Sequence, residues 1–111
     1  MRESKKLMIQ GEEWELKYVD RGEDLILENA DGYTDFTTRT LIVEDMQPEP
    51  KSFKDLKNYE RAVVRHEIIH AFLDESGLRQ NSWARNEEMV DFFATQFPKL
   101  AKIFKEAEVD Y

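Results

Sequence analysis

The sequence predicts an α+β fold, with an antiparallel or mixed β-sheet in the N-terminal half and helices in the C-terminal half. Residues 13–19 alternate charged and apolar side chains with a period of two, which is the pattern of a half-buried strand. Residues 46–50 include two prolines, and proline cannot donate the hydrogen bond that a central strand requires. Over about residues 53–76, apolar side chains recur at helical spacing. The prolines therefore mark the change from sheet to helices.

The remaining strands are predicted between residues 20 and 45. A turn at 20–22 is followed by an apolar run at 25–27, which is short enough to be either a strand or one turn of helix. A second turn signal at 31–32 precedes residues 33–45, which are rich in threonine, aromatic and β-branched side chains. The strand pattern is clearest at 38–43. We therefore expect a hairpin or strand pair in this region.

The first predicted helix runs from about Phe53 to about Ser76. Ser52 followed by Asp55 resembles an N-cap arrangement. Gly77 provides the left-handed residue that ends a helix, and the next residue, Leu78, can pack back on it. Apolar residues occupy more than one side of this helix, so we expect it to be buried on more than one side.

Two shorter helices are predicted after a polar connection. Asn81 and Ser82 are plausible caps for a helix over about residues 83–97. Pro98 breaks or kinks this helix and can open a third one, over about residues 99–108.

Composition limits the classes of function. The chain has 111 residues, 41% of them hydrophobic, which is enough for one core, so we expect residues 1–111 to form one domain. The net charge of −8 argues against direct nucleic-acid binding. The absence of cysteine excludes disulfides and thiolate zinc sites. The charged N-terminus lacks a signal-like apolar run, so a cytoplasmic protein without membrane association is expected.

The chain has only two histidines, His66 and His70, and Glu67 follows the first of them. Side chains four residues apart lie on the same face of a helix, so both imidazoles can bind one metal ion. Glu67 lies about 100° around the helix from His66, close enough to take a proton from water in the open position of that metal. This is the HExxH pattern of zinc hydrolases, and it predicts one Zn2+ ion as cofactor. The other interpretation is an amphipathic helix with two structural histidines.

A catalytic zinc needs a third protein ligand, which here must be a carboxylate because no further histidine and no cysteine exist. Glu87 is the best candidate, and Glu88 is the alternative if the helix phase differs. Asp91 lies one turn after Glu87 and suits the role of accepting the outer N–H of a ligating histidine. Charges on an apolar face need such partners. Alternatively, the two glutamates complement only the positive end of the helix dipole.

These residues carry a resemblance to a known family. Residues 65–71, together with Glu87 and residues 91–94, resemble the ImmA/IrrE group of small zinc metallopeptidases, which occur in prophages, mobile elements and bacterial stress regulation. Asn86 and Glu87, together with Asp91, also resemble the pattern of the thermolysin-like glutamate zincins. The resemblance covers approximately residues 34–97. One departure is Ile69, because the family commonly has a small residue or glycine just before the second histidine.

The resemblance implies a minimal zincin-like metallopeptidase domain, bacterial or phage-encoded, in which an HExxH active-site helix is followed by a glutamate-bearing helix. It implies zinc ligands and supporting residues at the following positions: His66, His70 and Glu87 as ligands, Glu67 as general base, Asp91 as the group that orients a ligating histidine. The strand at 38–43 would be the edge strand beside the site, where a peptide substrate binds by adding a strand. The implied activity is hydrolysis of peptide bonds in a protein substrate by a metal-activated water.

Two alternative functions and one unassigned catalytic role accompany this hypothesis. A non-catalytic zincin-fold module of a phage or mobile element could bind a partner protein without cleaving it. A structural metal site is weaker, because it needs a fourth protein ligand. Tyr59, Arg65 and Tyr111 are chemically suited to stabilise an oxyanion, but the sequence does not place any of them at the site.

Overall fold

The computed structural model describes residues 2–49 and 54–111 and has the predicted α+β class, with four strands and two long helices. The elements in chain order are β1 (Lys5–Ile9), β2 (Glu12–Val19), β3 (Gly32–Asp35), β4 (Thr40–Glu44), α1 (Leu56–Glu75) and α2 (Glu87–Glu106). The strand predicted at 13–19 is therefore confirmed as β2. Strand β1 was not predicted, although Gln10 and Gly11, both with positive φ, form a tight hairpin turn between β1 and β2.

The sheet is mixed and has the strand order β1-β2-β4-β3. Strands β2 and β4 are parallel, whereas β1 pairs antiparallel with β2 and β3 pairs antiparallel with β4. The hairpin predicted within residues 33–45 is thus confirmed. The prediction that residues 38–43 form the edge strand is wrong, because β4 lies inside the sheet and the edge strands are β1 and β3. The apolar run of β4 explains this position: Leu41, Ile42 and Val43 are all buried, as in a strand covered on both faces.

The crossover from β2 to β3 contains short 3-10 turns. The ambiguous run at 25–27 belongs to one of them, Leu25–Glu28, so the helical alternative is the correct one. Arg21 holds the crossover in place, because its guanidinium contacts the Asp31 carboxylate at 2.8 Å and that of Glu44 at 2.7 Å. The same side chain donates to the carbonyl of Leu27.

Helix α1 begins and ends with capping interactions. Its N-cap is Asp55, whose carboxylate accepts a hydrogen bond of 3.1 Å from the backbone N–H of Asn58. The predicted cap Ser52 and first residue Phe53 lie outside the described residues. At the other end Gly77 has a φ of 80°, and the N–H of Leu78 donates to the carbonyl of Leu73. The predicted glycine stop is therefore confirmed.

Helix α1 lies between two groups of buried side chains. The group on one side, which we call the sheet core, consists of Ile9, Trp14, Leu16, Leu41, Val43 and Ala71. The group on the other side, which we call the interhelical cluster, consists of Leu73, Ala84 and Val90. Burial of α1 on more than one side is thus confirmed. Ala71 and Leu73 are two positions apart and lie on different sides of α1. Ala71 belongs to the sheet core, and Leu73 belongs to the interhelical cluster.

Helix α2 starts later than predicted. Residues 82–85 form turns, in which the N–H of Arg85 bonds to the carbonyl of Ser82. The cap is Asn86, whose side chain accepts a hydrogen bond of 2.8 Å from the N–H of Met89. The predicted cap at 81–82 is therefore wrong. An amide oxygen directly before the helical stretch is better placed to accept from the first turn.

Helix α2 also continues through Pro98, so the predicted break and separate third helix are wrong. The ring of proline suits helical φ, although it removes one backbone hydrogen bond and crowds the carbonyl four residues earlier. Exposed apolar side chains on this helix include Phe92, Phe97 and Ile103. Over residues 2–49 and 54–111, no helix has the length and apolar character needed to cross a membrane.

Candidate metal centre

A cleft of about 1010 Å³ lies between β3, α1 and the start of α2. Both histidines, Glu67, Glu87 and Asp91 line it. Arg79 and Phe36 also line it, and the guanidinium of Arg79 lies 3.5 Å from the centroid of the Phe36 ring. All five residues selected from the sequence are therefore brought into one cleft.

The two histidines lie on the same face of α1. Their Nε2 atoms are 3.2 Å apart, and their side chains are only about a fifth exposed. This arrangement follows from helix geometry, since residues i and i+4 stack on one face. Burial of Ala71 on one side of α1 and Leu73 on the other fixes the rotation of the helix, so the rings point into the cleft.

Glu87 reaches both imidazoles from α2. Its Oε1 atom is 2.6 Å from Nε2 of His70 and 3.3 Å from Nε2 of His66. Ligands about 2.0–2.1 Å from a tetrahedral zinc ion lie about 3.3 Å from one another. Two of the three separations match this value, and the third is a hydrogen bond that would lengthen around an ion. Two imidazoles and one carboxylate are also a donor set of catalytic zinc, so the residues fit this metal.

Asp91 contacts the other nitrogen of His66. Its Oδ1 atom lies 2.8 Å from Nδ1, which favours the tautomer with the proton on Nδ1. Nε2 of His66 is then left with its lone pair directed towards His70 and Glu87. A carboxylate in this position orients the ring and increases its basicity as a ligand.

The carboxylates of Glu87 and Asp91 remain solvated. The side chain of Glu87 is 70% exposed and that of Asp91 is 74% exposed. The cost of burying these charges, considered from the sequence, is therefore small, because both carboxylates stay in contact with solvent. Their position follows from the buried neighbours Val90 and Ala94 and from the Asn86 cap.

Glu88 is exposed and does not belong to the group formed by Glu87 and the two histidines. Both glutamates lie in the first turn of α2, where negative charge is stabilised by the helix dipole. This stabilisation applies to either residue, so only the contacts of Glu87 with the imidazoles distinguish the two.

Glu67 is the buried carboxylate of the site, with 6% exposure. The hydroxyl of Thr34, on β3, lies 2.8 Å from its Oε1 atom and 3.1 Å from its backbone carbonyl oxygen. Burial raises the pKa of Glu67, while the Thr34 hydroxyl and the nearby imidazoles partly offset this rise. Glu67 is thus anchored to the edge strand on one side and lines the cleft on the other.

Two residues of β3 were missed in the sequence. Thr34 was included in a strand, but nothing local indicates that its hydroxyl faces the next helix. Gly32 was interpreted only as a turn residue, yet a Cβ atom there would lie 3.1 Å from Cγ1 of Val63 and 3.4 Å from Cγ of Glu67. A glycine at this position allows β3 and α1 to approach closely. A glycine at the start of a predicted strand was the one available signal.

Of the three residues considered for oxyanion stabilisation, Tyr59 alone lines the cleft. Its hydroxyl donates to the carboxylate of Asp31, and burial together with this bond raises the pKa of Tyr59 to about 12. The guanidinium of Arg65 donates instead to the carbonyl of Ala94, and Tyr111 is fully exposed.

Comparison with protein-family models, with curated proteins and with solved structures finds no match for this chain. The resemblance to ImmA/IrrE metallopeptidases therefore rests on the motif residues alone. It stays a prediction.

Proposed function

We propose that this protein is a zinc-dependent metallopeptidase that hydrolyses peptide bonds of a protein substrate. The observation that carries the proposal is the grouping of two imidazole nitrogens and one carboxylate oxygen within 4.8 Å of one another. The buried carboxylate of Glu67 lies beside this group. The HExxH pattern and its resemblance to small zinc metallopeptidases support the same chemistry.

In this proposal His66, His70 and Glu87 hold the metal. When bound, zinc acts as a Lewis acid and lowers the pKa of its water ligand towards about 7. Glu67 accepts the proton from that water and later donates it to the leaving amine. Because the Thr34 hydroxyl bonds to one carboxylate oxygen, it fixes the direction in which Glu67 faces the cleft.

The edge strand β3 provides a site for an extended substrate. It borders the cleft through Gly32, Tyr33 and Thr34, and β4 pairs with only one of its two sides. Peptides commonly bind such an edge by adding a strand. We therefore assign to β3 the substrate-binding role that was expected for residues 38–43.

The test is hydrolysis that depends on metal. The purified protein is incubated with casein and with candidate phage repressors, then with a chelator, and finally with added zinc. We expect cleavage that stops with the chelator and returns with zinc. Glu67→Gln should retain zinc but lose cleavage, by about 10²–10⁴-fold. His70→Ala should lose both.

Glu106→Gln makes the same chemical change at an exposed position near the end of α2 and should behave like the wild type. Full activity of Glu67→Gln contradicts the mechanism. Zinc binding with no cleavage of any substrate would favour the alternative, a non-catalytic module that binds a partner protein.

A further inference from the structure

Pro98 leaves a backbone carbonyl of α2 without its usual helical partner. In a regular helix the N–H of residue 98 would donate to the carbonyl of Ala94, four residues earlier. Proline has no N–H, so this donor is missing. Ala94 is buried, and a buried carbonyl without a hydrogen bond costs about 1–3 kcal/mol. The sequence therefore creates a carbonyl that needs a donor from elsewhere.

Arg65 of α1 supplies that donor. Its Nε–H donates to the Ala94 carbonyl, which makes a hydrogen bond from one helix to the backbone of the other. The side chain is half-buried. Arginine keeps its charge in proteins, and a bond from a charged donor is about twice as strong as one between neutral groups.

The position of this bond relates it to the metal centre. Arg65 directly precedes His66, the first histidine of the site. Ala94 follows Asp91 by three residues and Glu87 by seven, so it lies on the same part of α2. The interhelical cluster is small, and the two carboxylates are solvated, so packing alone gives them limited support.

We propose that Arg65 is a positioning residue of the metal site. Pro98 frees the Ala94 carbonyl, and Arg65 uses it to fix the register of α2 against α1, which holds Glu87 and Asp91 at the two histidines. This inference rests on the metal site of the proposed function. It assigns to Arg65 a role outside the cleft, in place of the oxyanion role considered from the sequence.

A simpler role for Arg65 would be to satisfy a buried carbonyl with no effect on the site. Three variants separate the two roles: Arg65→Met, Pro98→Ala and the double variant. Arg65→Met keeps much of the apolar side chain and removes every donor. In the double variant the restored N–H of residue 98 can satisfy the carbonyl of Ala94, but the two helices are no longer joined.

Zinc affinity and urea unfolding are measured for each variant. We expect Arg65→Met to weaken zinc binding on the order of 10-fold, as loss of a supporting residue does at other metal sites, and to lower stability. Pro98→Ala should bind zinc like the wild type, because one carbonyl oxygen can accept two bonds. The double variant should regain stability and keep the weaker zinc binding. Arg61→Met, an exposed change on the same helix, should leave zinc binding unchanged.

A double variant that regains zinc affinity together with stability overturns the inference, as does wild-type affinity in Arg65→Met.

A measurement on the zinc-free protein separates this inference from the proposed function. In the zinc-free protein, interhelical NMR contacts between the methyl groups of Leu73 and Val90 should change in Arg65→Met and in the double variant, but not in Arg61→Met. If the wild type binds no zinc, the proposed function fails. Unchanged methyl contacts in the double variant refute the positioning role itself.

Discussion

The two sides of α1 differ in how firmly they hold the candidate site. Towards the sheet, the buried group has six residues, including Ala71 of α1, and Glu67 is buried and bonded to Thr34 of β3. Towards α2, the buried group has three residues, and Glu87 and Asp91 are mostly exposed. The two histidines lie between these layers, on the face of α1 that meets α2.

The two sides of α1 therefore support different tasks of the proposed site, which are proton transfer and metal binding. Packing against the sheet positions the proposed general base, Glu67. The proposed metal ligand Glu87 depends on the smaller layer and on a few polar contacts between the helices. A change in the interhelical layer should therefore alter metal binding first. A change in the sheet core should lower stability while the folded protein keeps its ligand geometry.

The largest expected effect compares one leucine from each layer. Leu41→Ala in the sheet core and Leu73→Ala in the interhelical cluster should each cost about 2–5 kcal/mol of unfolding free energy. Only Leu73→Ala should also weaken zinc binding by the folded protein, because it loosens the contact with α2. Urea unfolding and titration calorimetry measure the two quantities. Equal loss of zinc affinity in both variants would remove the distinction between the layers.

The next largest effect is expected from removing a polar contact between α1 and α2. Asp91→Asn removes the negative charge beside Nδ1 of His66 and should lower zinc affinity by about 10–100-fold. Asp110→Asn changes an exposed aspartate near the C-terminus and is the control. Calorimetry with zinc measures both, and unchanged affinity in Asp91→Asn would show that this contact does not support the metal.

A smaller effect is expected from a change on the sheet side of α1. Thr34→Val keeps the shape of the side chain and removes the hydroxyl that bonds to Glu67. Hydrolysis should fall by about 10-fold, in line with about 1.5 kcal/mol for a hydrogen bond to a charged group. Zinc affinity should not change, because Thr34 contacts the proposed base and not the ligands. A parallel loss of zinc binding would mean that the two layers are not separable.

The smallest expected effect concerns the start of α1. Burial and the bond to Asp31 raise the pKa of Tyr59 to about 12, compared with about 10 in an unfolded chain. The folded state therefore favours the protonated phenol. The corresponding stability is fully present below pH 10 and is lost as the pH rises from 10 to 12. Unfolding measured across this range should show the loss in the wild type and a smaller one in Tyr59→Phe, and identical profiles would contradict it.

Several features could be predicted because their cause is local in the chain. The alternation of residues 13–19 produces β2, since every second side chain faces the sheet core. Gly77 ends α1 because its φ is positive. The HExxH spacing brings the two imidazoles onto one face of a helix, whatever the rest of the fold does.

Other features depended on partners distant in sequence. Strand β4 has the expected strand character, but its place between β2 and β3 follows from parallel pairing with a strand more than twenty residues away. Pro98 has the local signal of a helix break, and α2 continues because the packed helix tolerates one missing bond and Arg65 supplies another donor. The 3-10 turn at Leu25–Glu28 was one of two local possibilities.

The sequence by itself determined the α+β class, the helical stop at Gly77 and the donor set available for a metal, because these depend on residue type and on short, regular spacing. The tertiary structure alone decided which strand borders the cleft, that Thr34 faces Glu67 and that Glu87 contacts the histidines while Glu88 does not. The reason is physical. Helix and strand periodicity are set over a few residues, whereas contacts between elements are set by burial and packing of the whole chain.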